Sequence, residues 1–203
     1  MAPAHRPAAL RSLAVRGAYD VLPEILDHLI HAERQNTTML ADVLRRFGEP
    51  ALPMLAKLAA EQTHLEVRLA AIAAMEAIGS LESVPVLTQL AADPIADIRA
   101  SAVAALGRLG DTGAEQAILH ALSDKNETVR VRAAKSAGRL QLRSATSILA
   151  SMLADPSWWV RYRAAEALHR MGAIGQSYLQ ARSKETDHAG QIAAQVLAEK
   201  EAA

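Results

Sequence analysis

The sequence contains no cysteine, which excludes disulfides, thiolate nucleophiles and cysteine-ligated metals. Aromatic residues are nearly as scarce, with one Phe, three Tyr and two Trp among 203 residues. The hydrophobic fraction of 51% therefore rests mainly on Ala and Leu, which favour helix over the pleated surface of a sheet. No apolar run reaches the ~18 residues of a membrane span, and the opening MAPAHRPAALRSLAVRG lacks the apolar stretch of a secretory signal. Neither sign of charge is in excess, with 22 Lys and Arg against 22 Asp and Glu. Together these absences predict an all-α protein with a sizeable core, no direct membrane insertion and a cytoplasmic location.

What the sequence does have is repetition. LEVRLAAIAAMEAIG, ADIRASAVAALGRLG and WWVRYRAAEALHRMG end at Gly79, Gly110 and Gly172, each with an Arg eleven residues before its glycine. Arg68, Arg99, Arg130 and Arg161 stand 31 residues apart, and the glycine phase runs back to Gly48 and Gly17, broken only by Gln141. An apolar residue (Val67, Ile98, Val129, Val160) precedes each Arg, and Leu13, Leu44, Met75, Leu106, Ala137 and Leu168 share a phase four residues before the glycine. Spacings of three and four predict a helix that ends near the glycine, with these residues in its core face. SVPVLTQLAAD, AEQAILHALSD and ATSILASMLAD read as the partner helix, ending at Asp93, Asp124 and Asp155. Two helices per 31 residues cannot bury their apolar faces alone, so the units are expected to stack into an α-solenoid. Each Asp precedes the next Arg by six residues, which puts an acid in the turn and a guanidinium in the following first turn, able to bond each other or loop carbonyls. That ladder of Asp93, Asp124, Asp155, Arg68, Arg99, Arg130 and Arg161 reads as structural.

The pattern of Asp, short gap, Val-Arg, Ala-Ala and Ala-Leu before Gly resembles the HEAT-like repeats of phycobilin lyases and many bacterial adaptor proteins. The match is strong from Thr37 to Gly172 and weaker over Arg6 to Gly17 and Asp187 to Glu199. The resemblance implies a fold and leaves activity open, because such repeats serve in enzymes, scaffolds and nucleic-acid binders. The expected organisation is one repeat domain over 1–203, with a half repeat or amino-terminal cap at 1–17, repeats at 18–172 and a carboxy-terminal capping helix pair at 173–203. Residues 5–17 look like the second helix of a repeat without its first, either a cap bearing Arg6, Arg11 and Arg16 or the remainder of a longer chain. The resemblance of the last repeat also implies that a membrane anchor can precede the solenoid, placing this part at the inner face of a membrane.

Catalytic chemistry finds no foothold in the sequence. There is no glycine-rich phosphate loop and no Ser, His and Asp arrangement above chance. Glu24, His28 and His31 have ligand-like spacing, but on a solvated helical face that offers no closed cage, so no metal is expected. HEAT-repeat hydroxylases hold di-iron through His-Glu dipeptides, and none occurs here. No cofactor is expected.

Charge is distributed unevenly. Residues 18–127 carry eight Lys or Arg against sixteen Asp or Glu, whereas 128–172 carry eight against two. Arg108, Arg139 and Arg170, with Arg46, lie two residues before the glycine phase, where the helix dipole favours cations by roughly 0.3–1 kcal/mol. Arg132 and Arg163 have no such explanation, since Ala70 and Ser101 hold their phase earlier. Trp159 replaces Glu66, Asp97 and Thr128, and Trp158 replaces Leu65, Ala96 and Glu127, so at least one indole is expected at the surface. Trp158, Trp159, Tyr162, Arg132 and Arg163, with Arg139 and Arg170, therefore form the expected partner-binding patch, rich in the residue types that dominate binding hot spots. The sequence favours a non-catalytic protein-binding scaffold with an acidic or membrane-associated partner. The alternatives are a nucleic-acid binder of the HEAT-like glycosylase type, disfavoured by a net-neutral chain with one short basic segment, and a lyase-like or chaperone role on a tetrapyrrole protein.

Overall fold

A computed structural model describes residues 41, 42, 44–61 and 64–201. The expected half repeat at 1–17 and the Glu24, His28 and His31 set lie outside the described residues. Every regular element among those described is helical. They fall in two compact units, one ending at Leu90 and the other beginning at Ala91.

In the first unit, α1 (Leu52–Glu61) packs on α2 (Leu65–Ile78) and on α3 (Val84–Leu90). Val67, Ala71, Ala74 and Met75 recur at helical spacing and are buried, so α2 turns one face inward. Beside them Arg68 is also buried, its Nε donating to the Ala59 carbonyl at 2.6 Å.

The second unit places long helices α4 (Ala96–Leu109), α6 (Glu127–Leu140), α8 (Trp158–Arg170) and α10 (His188–Glu201) side by side in a row. Short helices form the other layer: α5 (Glu115–Ala121) packs on α4 and α6, α7 (Thr146–Ser151) on α8, and α9 (Ala173–Arg182) on α8 and α10. Ile98, Leu106, Ile118, Leu149 and Leu168 are fully buried between the layers. Each such side chain contributes about 1.5–3 kcal/mol by leaving water. These stacked helix pairs belong to the α-solenoid class. Among the described residues no helix is long and apolar enough to cross a membrane.

Helix ends follow the repeat at Gly79, Gly110 and Gln141, which are left-handed C-caps, but not at Gly48 and Gly172. Gly110 closes α4 at φ 82°, its N–H donating to the Leu106 carbonyl, a left-handed conformation that costs glycine little. Gln141 adopts the same conformation at φ 50° to close α6, so the break in the glycine series leaves the turn intact. Gly172 departs from the pattern: α8 already ends at Arg170, Met171 is its C-cap, and Gly172 at φ 67° starts α9 directly. Small residues bring the long helices close. A Cβ on Gly138 of α6 would lie 2.7 Å from the Ala167 Cα of α8, and one on Gly107 of α4 would lie 2.2 Å from Ser136 Oγ of α6. Ser136 itself is buried and satisfied, donating to the Val103 carbonyl at 2.9 Å.

Candidate functional site

The candidate patch is held in place by an arginine ladder. Arg99 Nη1 donates to the carbonyls of Asp93 and Pro94 at 2.8 and 3.0 Å, while its Nε and Nη2 reach the Asp124 carboxylate at 2.7 and 2.9 Å. Arg130 repeats the arrangement on the Asp124 and Lys125 carbonyls and on the Asp155 carboxylate. The acid and arginine within one turn are thus joined through the backbone carbonyl, and the carboxylate goes to the arginine of the preceding repeat. Asp124 and Asp155 each also accept a backbone N–H two residues on, from Asn126 and Ser157, which rigidifies the turn. Asp93 accepts that of Ile95. The Arg99 guanidinium beside Asp124 holds its carboxyl below the usual carboxylate range. Arg161 keeps the carbonyl bonds, to Asp155 and Pro156, but its buried Nε has no partner because Thr186 occupies the position of the next ladder acid.

With the long helices fixed in this way, their exposed faces align. Spacings of four, three and four bring Thr128, Arg132, Lys135 and Arg139 onto one face of α6. Glu127, Thr128, Arg132 and Lys135 line one wall of a groove of about 290 Å³, with Trp159 and Arg163 of α8 opposite and Val131 at its side. A smaller hollow of about 40 Å³ between α4 and α6 shares Arg132 and Lys135 and adds Arg108 and Arg139. Neither Arg132 nor Lys135 has an ion-pair partner among the described residues. Arg163 is shared: Nη1 reaches Glu166 Oε2 at 2.5 Å, and its guanidinium carbon lies 5.6 Å from the Tyr162 ring centre.

Both indoles are at the surface, Trp158 at 41% and Trp159 at 54% exposure. Their rings meet edge to face with centroids 4.8 Å apart. Only Trp159 lines the groove. Trp158 stacks on Tyr162 at 5.1 Å and 12° between planes, and the Tyr162 hydroxyl donates to Glu199 Oε2 of α10 at 2.9 Å. That bond pushes the phenol's titration above its ordinary value. Of the residues expected in the patch, Trp159, Arg132 and Arg163 come together in the groove, while Trp158 and Tyr162 form a stack beside it. Arg139 lines the smaller hollow, and Arg170 is exposed without lining either, although its carbonyl accepts from Gln141 Nε2 at 2.7 Å. Sequence reading missed Lys135, whose signal was its place three residues after Arg132. Among the described residues no three His, Asp or Glu side chains are grouped to hold a metal ion. The groove presents three cations, Arg132, Lys135 and Arg163, against one carboxylate, Glu127, with an indole and a Val as its apolar surface.

Comparison with known proteins bears on the fold. The model of HEAT repeats matches residues 31–106, 84–169 and 115–198. Comparison with curated proteins finds no match. Among solved structures, the complex of CpcE and CpcF of phycocyanin lyase from Nostoc sp. PCC7120 is similar at TM-score 0.62 and 17% identity, over 84% of this chain and 74% of the other. An engineered protein is similar at TM-score 0.58 and 16% identity, over 96% and 97%. Human deoxyhypusine hydroxylase aligns at TM-score 0.42 and 19% identity, over 84% and 82%. With family matches that together run from residue 31 to residue 198, this chain belongs to the HEAT-repeat family.

Proposed function

We propose that the chain is a non-catalytic binding module whose partner is a protein, received on the outer face of the long helices α6 and α8. Trp159 carries the reading: a large apolar ring stands more than half exposed at a position where the other repeats hold polar residues, across a groove from Arg132 and Lys135. An exposed indole costs the monomer solubility and contributes nothing to its core, whereas Trp and Arg are the residue types that anchor protein interfaces. Trp158, Tyr162 and Arg163 extend the patch, with Arg139 and Arg170 at its basic margin. HEAT repeats supply a stacked surface suited to such a role.

A photoreactive phenylalanine analogue placed at Trp159 and, separately, at Gln116 of α5 in the opposite layer tests this in the native cell. Protein adducts from position 159, lost when Arg163→Glu is added, are expected. Adducts from position 116 alone would move the interface to the other layer and end the proposal.

A further inference from the structure

We infer that the ligand of this face is an extended acidic segment that crosses the long helices with carboxylates three residues apart; the inference rests on the protein-binding reading above. Cations occupy equivalent positions on successive helices, Arg132 and Arg163 in one row and Arg108 and Arg139 in another. Packed helix axes lie about 8–10 Å apart, and the small residues at Gly107 and Gly138 keep these helices close. A peptide extended in the polyproline II form rises about 3.1 Å per residue with three residues per turn, so every third side chain returns to one face after about one helix spacing. Carboxylates at every third residue then meet Arg132 and Arg163 along one row, or Arg108 and Arg139 along the other. Arginine favours this pairing because its fork takes a carboxylate through two bonds.

A space of about 290 Å³ takes the side chains of such a segment. Trp159 and Val131 offer an apolar surface between the cations, which fits a segment with apolar residues separating its acids. Arg132 and Lys135, without an ion-pair partner among the described residues, outnumber the groove's one carboxylate, Glu127, and leave positive charge for the ligand. Trp159 also makes binding visible, since its indole lines the groove.

The test uses the full chain carrying Trp158→Phe, leaving Trp159 as the one fluorophore of its kind. It is titrated with a nine-residue peptide bearing Glu at every third position and Leu between, a composition-matched peptide with its Glu residues contiguous, a Lys version of the first, and oligothymidylate of equal charge. The spaced acidic peptide is expected to bind at least about tenfold tighter than the contiguous one. Arg132→Gln should weaken it by a similar factor, with helical circular dichroism unchanged. Equal affinity for both acidic peptides would overturn the three-residue register while leaving the protein-binding face intact. Arg132-dependent binding of oligothymidylate, with none of either acidic peptide, would overturn both. Absence of any acidic peptide binding, in a protein that still gives protein adducts from position 159, would overturn the acidic ligand alone.

Discussion

Arg130 and Asp155 are 25 residues apart, yet Nε and Nη2 of the one meet both carboxylate oxygens of the other at 2.8 and 2.9 Å, with little of either side chain in contact with solvent. The pair joins the start of α6 to the turn that opens α8, so it fixes how those two helices align along the groove. Removing one partner of such a pair leaves a buried charge uncompensated. Asp155→Ala should therefore lower stability by about 3 kcal/mol, read from urea unfolding. The double change Arg130→Met with Asp155→Leu should recover part of that loss, because the apolar pair leaves no charge behind. A single change costing under about 0.5 kcal/mol would show that the ladder does not join these repeats.

Asp124 gives the ladder a pH dependence. Its folded carboxyl lies below the ordinary value of 3.8 because it accepts from Arg99, so the contribution is fully present above that ordinary value. It is lost as pH falls through the depressed folded value. The stability gap between the native chain and Asp124→Asn should stay constant from about pH 5 to 8 and shrink below about pH 4. Urea midpoints at a series of pH values measure it, and a gap that widens on acidification would contradict the assignment.

At the end of the ladder, Arg161 has a buried Nε without a partner, and Thr186 stands where the three preceding repeats place Asp93, Asp124 and Asp155. Thr186→Asp should raise stability by about 1 kcal/mol, and the gain should vanish when Arg161→Met is added. Calorimetry on the four proteins of this cycle checks both statements.

Two packing substitutions probe the close approach of the helices. Gly138→Ala would gain about 1 kcal/mol on helix propensity in an exposed helix, but here its Cβ meets the Ala167 backbone, so a loss of about 1–3 kcal/mol is expected. The sign alone decides between an open and a tight contact of α6 with α8. Leu106→Ala, at a fully buried position, should cost about 2–5 kcal/mol.

Much of this architecture was legible because a repeat writes its core positions many times. Leu44, Met75, Leu106 and Leu168 share one phase and all are fully buried, and the Arg phase falls in the first turn of each long helix. The partner of each ladder acid was not legible. An Asp six residues before one Arg is also 25 after another, so the same period fits both pairings, and only the stacking geometry selects the second. At Gly172 the phase marks the end of α8 correctly, but whether the glycine's positive φ closes that helix or opens the next was not legible, since it serves either end. Exposure of Trp159 could be read from the polar residues at its equivalent positions, but that of Trp158, whose equivalents include Leu65 and Ala96, and the division of labour between the two could not. Which ring lines the groove depends on Tyr162, whose position is set by Glu199 of α10, far along the chain.

The most direct measurement of the central claim is acrylamide quenching of the two single-tryptophan proteins, Trp158→Phe and Trp159→Phe. Both remaining indoles should emit as partly solvated rings and be quenched readily, and the binding partner should shield Trp159 at saturation. Blue-shifted emission with no quenching from both rings, or a partner that binds without shielding Trp159, would contradict the assignment of the α6–α8 groove as the binding face.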